Sequence, residues 1–342
     1  MIVAEELLKP VSEEAPCGED LSYDPGFQAM ETKARGTPET QFSEAKPPDW
    51  KEVRSHCLEL FVRSKDLRVA VILAVAELEL SGLPGFREVL ALVAGLLERY
   101  WVNFHPQLDP GENNDPLERM NIVASLATPI GSYGDHLRVL ERLRSAPLCD
   151  SIQMGRFSLL DILHAETGAG GGGDNATPSL SQIEAAFRDS NQDELVQNYR
   201  NLNESFAFVE AIDEYLTRTV GASNAPDLTL LSGELKSMRE RIAPYLPAGL
   251  VTGEALNPGS ETSGSAVTAP VSVQGDLQSR EDVVRLLNKI LEYYVRVEPS
   301  SPVPLILKRA VRLARMDFVQ IIKDMAPDAI SEIYRISGEK EE

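Results

Sequence analysis

Apolar residues recur at intervals of three and four along most of this 342-residue chain. That period lays one stripe down the side of an α-helix, so the chain is restricted to folds that bury such stripes against one another. The segment "DWKEVRSHCLELFVRSKDLRVAVILAVAELELSG" (49–82) predicts two helices, one opening at Asp49 as N-cap and one running from Asp66 to a stop at Gly82. "PGFREVLALVAGLLERYWVNF" (84–104) predicts a third, with Phe86, Leu90, Val93, Leu97 and Trp101 on one stripe. "DPLERMNIVASLAT" adds a fourth, with Asp115 as N-cap, Pro116 at the first helical position and Glu118 completing a capping box. "YGDHLRVLERLRSA" is a fifth. Together they predict an antiparallel helical bundle over residues 1–165.

"PLCDSIQMGRFSLLDIL" breaks the period around Gly155 and has room for a short hairpin. The run "GAGGGGDNATPS" lacks the Lys-Ser/Thr pair of a phosphate loop and reads as a connector. Residues 178–245 return to helix. Tyr199, Leu202, Phe206, Val209, Leu216 and Val220 face Leu228, Leu231, Leu235, Met238, Ile242 and Tyr245 across the turn "GASNAPD", an αα-hairpin. Residues 246–276, rich in Gly, Pro, Ser and Thr, predict a flexible linker. Residues 277–342 predict a small helical domain, with Ser279 and Asp282 as a capping box, Ser301-Pro302 opening a helix and Gly338 closing the last. The expected fold class is all-α.

Charge narrows the partners. There are 33 Lys and Arg against 53 Asp and Glu, a net charge of −20. So acidic a surface repels phosphate backbones and anionic lipid, which argues against nucleic acid and direct membrane insertion. Residues 277–342 carry 11 basic and 11 acidic groups, so the excess acidity lies upstream. Three distant cysteines (Cys17, Cys57, Cys149) without C-x-x-C spacing fit a reducing compartment, and the opening residues have no secretory-signal pattern. These features predict a cytoplasmic location.

The densest group of candidate chemical side chains is "YWVNFHPQLDPGENND" (100–115). His105 is its one good zinc ligand, and Asp109, Glu112 and Asp115 lack the spacing of a calcium loop. The segment reads as a polar loop ending in a helix cap. His56 and Cys57 are adjacent on a helix and so do not face each other, while His136 and His164 lie on separate polar faces. Trp50 and Trp101 read as core. No catalytic residue, cofactor or metal is expected. Lys308, Arg309, Arg312 and Arg315 form a basic stripe that offers either a solvated face or a dock for an acidic protein surface.

Three blocks, "PVSEEAPCGEDLSYDPGFQAMETKARG", "DWKEVRSHCLELFVRSKDLRVAVILAVAELELSGLPGF" and "LLERYWVNFHPQLDPGENNDPLERMNIVASL", resemble in order the ImpA-type N-terminal domain of the TssA family of bacterial type VI secretion systems. The most specific pieces are Gly18-Glu19-Asp20-Leu21, Ser64-Lys65-Asp66-Leu67-Arg68, Tyr100-Trp101 and His105-Pro106. The C-terminal part is similar to the short class of that family, which resembles a phage baseplate wedge protein. The resemblance implies a non-enzymatic scaffold that forms a homo-oligomeric ring and recruits baseplate and sheath subunits. The first helix of 277–342 carries two apolar stripes, more than a small domain can cover. Val284, Leu291, Tyr293, Val295 and Phe318 are accordingly expected at the oligomer interface, with the basic stripe facing a partner. Two competing readings are a helical adaptor of another assembly and a metal-dependent hydrolase built on His105.

Overall fold

A computed structural model describes residues 2–37, 46–108, 111, 114–167, 178–247 and 307–311. The chain divides into two compact units, Met1–Leu256 and Asn257–Glu342.

The first unit is built on α2 (Pro25–Arg35), α3 (Trp50–Arg63) and α4 (Leu67–Tyr100), preceded by the short α1 (Ala4–Leu7). α2, α3 and α4 each begin where a side chain supplies the acceptor that a first turn lacks. Asp24 accepts from the Gly26 N–H, Asp49 from Lys51 and Glu52, and Asp66 from Arg68. Ion pairs set the directions. Lys33 with Glu52 and Asp24 with Arg63 run α2 antiparallel to α3, and Arg54 with Glu77 runs α3 antiparallel to α4.

The 34 residues of α4 do not form one straight rod. A straight helix of that length would span about 50 Å, yet Leu67 N–H donates to the His105 carbonyl at 2.8 Å. Gly82, with φ 66° and ψ −148°, breaks the helix, and the two halves fold back side by side. The sequence reading of two helices divided at Gly82 matches this break. Although α4 is apolar and long enough to qualify as a membrane span, it is doubled over, and 72% of its most apolar window is buried in the core. The stripe Phe86, Leu90, Val93 and Leu97 is fully buried.

Beyond it lie α5 (Leu117–Ala124), α6 (Val139–Ser145), α7 (Leu159–Thr167), α8 (Leu180–Asp189), α9 (Gln192–Val220) and α10 (Thr229–Ile242). Between α6 and α7, β1 (Pro147–Ser151) pairs antiparallel with β2 (Gly155–Ser158). The all-α expectation is therefore corrected to mainly α. The two strands bury Leu148, Cys149, Ser151 and Ser158 under α8 and put Ile152, fully exposed, at the turn. Two further boundaries differ. α5 starts at Leu117, one residue past Pro116, although Asp115 does accept from the Leu117 N–H at 3.0 Å. α6 is only seven residues long, and His136 lies in a bend before it rather than on a helix face.

α9 and α10 pack antiparallel, with Leu195, Leu202, Val209, Ile212 and Leu216 against Leu228, Leu231, Leu235, Met238 and Ile242, all buried. α9 also runs parallel to the second half of α4. Arg87 meets Glu204 and Trp101 meets Tyr215, a nearly constant offset along both helices. Residues 1–165 and 178–245, separate along the chain, thus lie in one compact unit.

In the second unit residues 307–311 are helical, with Lys308 and Arg309 exposed. Val284, Leu291, Tyr293, Val295, Phe318, Arg312 and Arg315 lie outside the described residues, as do residues 248–276 of the linker and most of 277–342.

Candidate functional site

The four motif pieces are scattered over 90 residues of sequence, and the doubled α4 brings them together. Its first turn and the segment following its last turn meet at one end of the bundle, where residues 17–22 are laid across them. His105 N–H donates to the Lys65 carbonyl at 2.9 Å, and Lys65 N–H donates to the Cys17 carbonyl at 2.8 Å. Ser64 Oγ donates to the Glu19 carbonyl at 2.7 Å. Gly18 is pressed so close to α3 that a Cβ there would lie 2.0 Å from the Arg63 carbonyl oxygen, and its φ is +69°. Only glycine meets both conditions.

Asp66, fully buried, receives the Arg68 side chain through Nε at 3.0 Å and Nη2 at 2.6 Å. Arg68 also donates to Ser22 Oγ at 2.9 Å and lies 4.6 Å from the Phe27 ring centroid. The pair locks the cap of α4 to residues 20–27.

His105 is not a polar loop residue. Its ring is 2% exposed, its Nε2 is 3.1 Å from the Gly18 carbonyl oxygen, and its Nδ1 is buried without a partner. The imidazole fills the junction between the three segments. The Cys17 thiol is pushed up to about 11 by burial, against the pull of Lys65 and Arg119. Burial likewise lowers the Lys65 ammonium, whose Nζ donates to the Phe61 carbonyl at 2.9 Å. The Cys17 thiol is thereby poorly suited to nucleophilic chemistry, because the thiolate is the disfavoured form.

Arg119 closes the site from α5. It is 1% exposed, and among the described residues it forms no ion pair with a carboxylate. Instead Nε donates to the Pro106 carbonyl at 2.7 Å, Nη2 to that of Phe104 at 2.7 Å and Nη1 to that of Trp101. The Trp101 carbonyl belongs to the C-cap of α4, where a cation is favoured, and those of Phe104 and Pro106 lie in the segment that follows. The guanidinium also stacks on the Phe104 ring at 3.9 Å and approaches the Trp101 ring at 5.1 Å. Burial pulls its pKa down to about 10, so it stays charged at neutral pH. The sequence reading missed this residue. The signal was a base on the stripe of Met120 and Val123, where a solvated arginine has no place.

Among the other sequence candidates, Trp50 is buried under the Arg142 guanidinium, while Trp101 is half-buried, edge-on to Phe104. His56 is half-buried beside fully buried Cys57, and His164 is exposed on α7. Among the described residues no three of His, Cys, Asp and Glu are grouped to hold a metal ion. The arrangement is a junction of charge-assisted bonds that positions segments.

Residues 8–128, which contain this junction, match the family described as "ImpA, N-terminal, type VI secretion system". The chain is 37% identical over 351 residues to "Type VI secretion system component TssA1" of Pseudomonas aeruginosa (strain PAO1), covering 98% of each. It is also similar, at TM-score 0.58 and 28% identity, to the solved "N-terminal domain including the conserved ImpA_N region of the TssA component of the type VI secretion system from Burkholderia cenocepacia", over 71% of this chain and 92% of that one. With relatedness along its whole length and the motif residues assembled into one junction, the chain belongs to the TssA family of type VI secretion system components.

Proposed function

We propose that this TssA component is a cytoplasmic, non-enzymatic scaffold: its C-terminal region forms a homo-oligomeric ring, and the helical unit ahead of it is displayed to recruit baseplate and sheath subunits. The observation that carries the reading is similarity to TssA1 over 98% of both chains, which extends through residues 277–342 as well as the N-terminal family region. Charge supports it. The upstream residues hold nearly all of the −20 excess and would repel one another, whereas 277–342 is balanced and can pack against copies of itself. Repeated identical contacts close into rings when the rotation closes.

In this reading Val284, Leu291, Tyr293, Val295 and Phe318 line the contact between copies, and Lys308, Arg309, Arg312 and Arg315 meet an acidic partner surface. The test is mass photometry of the full chain beside Val284→Glu and Leu291→Glu. The wild type is expected as one large species, and the variants as small ones with unchanged helical circular dichroism. A wild type that stays monomeric at micromolar concentration overturns the ring. Co-purification with baseplate and sheath subunits tests recruitment, and its absence for the intact oligomer would remove that part.

A further inference from the structure

Residues 2–8 form a strap across the second half of α4. Ile2, Ala4 and Leu8 are buried, and Leu8 sits so close to Gly95 that a Cβ there would lie 2.4 Å from Leu8 Cδ1. Arg99 holds Glu5 through two bonds of 2.6 and 2.8 Å, and Tyr100 Oη donates to the Leu8 carbonyl at 2.8 Å.

The fourth attachment leads elsewhere. Ala4 N–H donates to Glu88 Oε2 at 2.9 Å, while Glu88 Oε1 accepts from Arg87 Nη2. The same guanidinium, through Nη1, donates to Glu204 Oε2 on α9 at 2.8 Å. One carboxylate and one guanidinium therefore join the strap, α4 and α9 in a single run of charge-assisted bonds. The Arg87 and Glu88 side chains are only 25% and 15% exposed, so solvent screens the strap end of the run weakly, while Glu204 at the α9 end is 51% exposed. Arg87 Nε is buried with no acceptor, and the buried face of α9 carries Asn201, whose Nδ2 is also unpartnered. Buried polar atoms without partners lower the cost of opening the contact they lie in.

We propose that the strap and α9 are coupled, so that release of residues 2–8 from α4 loosens the docking of α9, and loss of the α9 bond loosens the strap. Without the Ala4 N–H, the Glu88 carboxylate can turn to take Nη2 and Nε of Arg87 together, the fork geometry that arginine favours. That rotation satisfies Nε and draws the guanidinium away from Glu204. Any binding event that captured the strap would in this way free the α9–α10 hairpin. Coupling between two sites is reciprocal, which makes the idea testable from both ends.

The experiment is hydrogen exchange on the full-length chain. Ala4→Pro deletes one donor at the first position of α1, where proline is tolerated, behind Val3, which is already extended (φ −126°, ψ 119°). Glu204→Gln weakens the other end. Ala4→Pro should speed exchange between Leu195 and Leu216 at least about twofold, the low end for groups sharing one network, with α2 and α3 unchanged. Glu204→Gln should speed exchange in residues 5–8 by a similar factor. If Ala4→Pro fails to fold, Leu8→Ala, which loosens the strap at its buried contact with Gly95 and leaves Glu88 and Arg87 intact, is expected to show the same change in α9. Acceleration confined to the mutated end, or spread equally over α2 and α3, overturns the coupling.

Discussion

Arg119 donates to the Phe104 carbonyl at 2.7 Å and stacks its guanidinium on the Phe104 ring at 3.9 Å, so one residue is held by backbone and side chain at once. The bond matters because the segment after α4 has no regular structure of its own and must be tied to α5. Arg119→Met keeps most of the volume but strands three carbonyls in the interior. Loss of hydrogen bonds to a charged group, with their acceptors left buried, is expected to cost on the order of 4 kcal/mol. Thermal denaturation should show it. Arg119→Lys should recover only part, because an ammonium cannot reach three divergent acceptors as a planar fork does.

Replacing His105 by Ala should destabilise by about 2–3 kcal/mol, from the void left by a buried ring and the lost bond to the Gly18 carbonyl. The metal content of the purified protein should be the same before and after, measured by elemental analysis. A stoichiometric metal lost with the imidazole would instead make His105 a ligand.

Gly95→Ala tests the strap contact. Its new methyl would meet Leu8, a flexible side chain tip, so the neighbour must shift and the expected loss is about 1–3 kcal/mol. Gly18→Ala should be far worse, because its methyl would meet the Arg63 backbone carbonyl and its φ is positive. Urea denaturation of the two variants side by side should separate them, with Gly18→Ala having little or no folded baseline.

Acid should destabilise the protein in a defined direction. The bond from Arg99 holds Glu5 below the usual carboxylate range, and the bond from Arg63 does the same for Asp24. A carboxyl whose folded pKa is lowered contributes stability above its unfolded pKa and loses it as pH falls through the folded value. The melting temperature is therefore expected to drop below about pH 5, and Glu5→Gln with Asp24→Asn should flatten part of that drop.

The three cysteines should be silent in the native protein. All are buried, and burial raises the pKa of each, that of Cys17 to about 11. A thiol reagent at pH 8 is expected to label none of them quickly and to label Cys17, Cys57 and Cys149 together after guanidinium is added. Rapid labelling of Cys17 in the native state would mean that residues 17–22 detach from the junction.

What the sequence determined by itself was local. Asp49 and Asp66 cap helices because the acceptor and its orphan N–H groups are two or three residues apart, so the signal is complete within one turn. The stripe Leu228, Leu231, Leu235, Met238 and Ile242 is legible for the same reason, since periodicity states which face is buried. Gly82 followed by Pro84 marked a break. The scattered motif pieces were readable as a family resemblance, but their chemistry was not. Tertiary structure alone decided that α4 doubles back, that α9 lies parallel to its second half, and that His105, Lys65 and Arg119 are interior. The burial of His105 and Arg119 depends on acceptors supplied from 13 to 87 residues away in the chain. A polar residue is assigned to the surface by its own chemistry, and only the fold can bring the carbonyls that let it be buried.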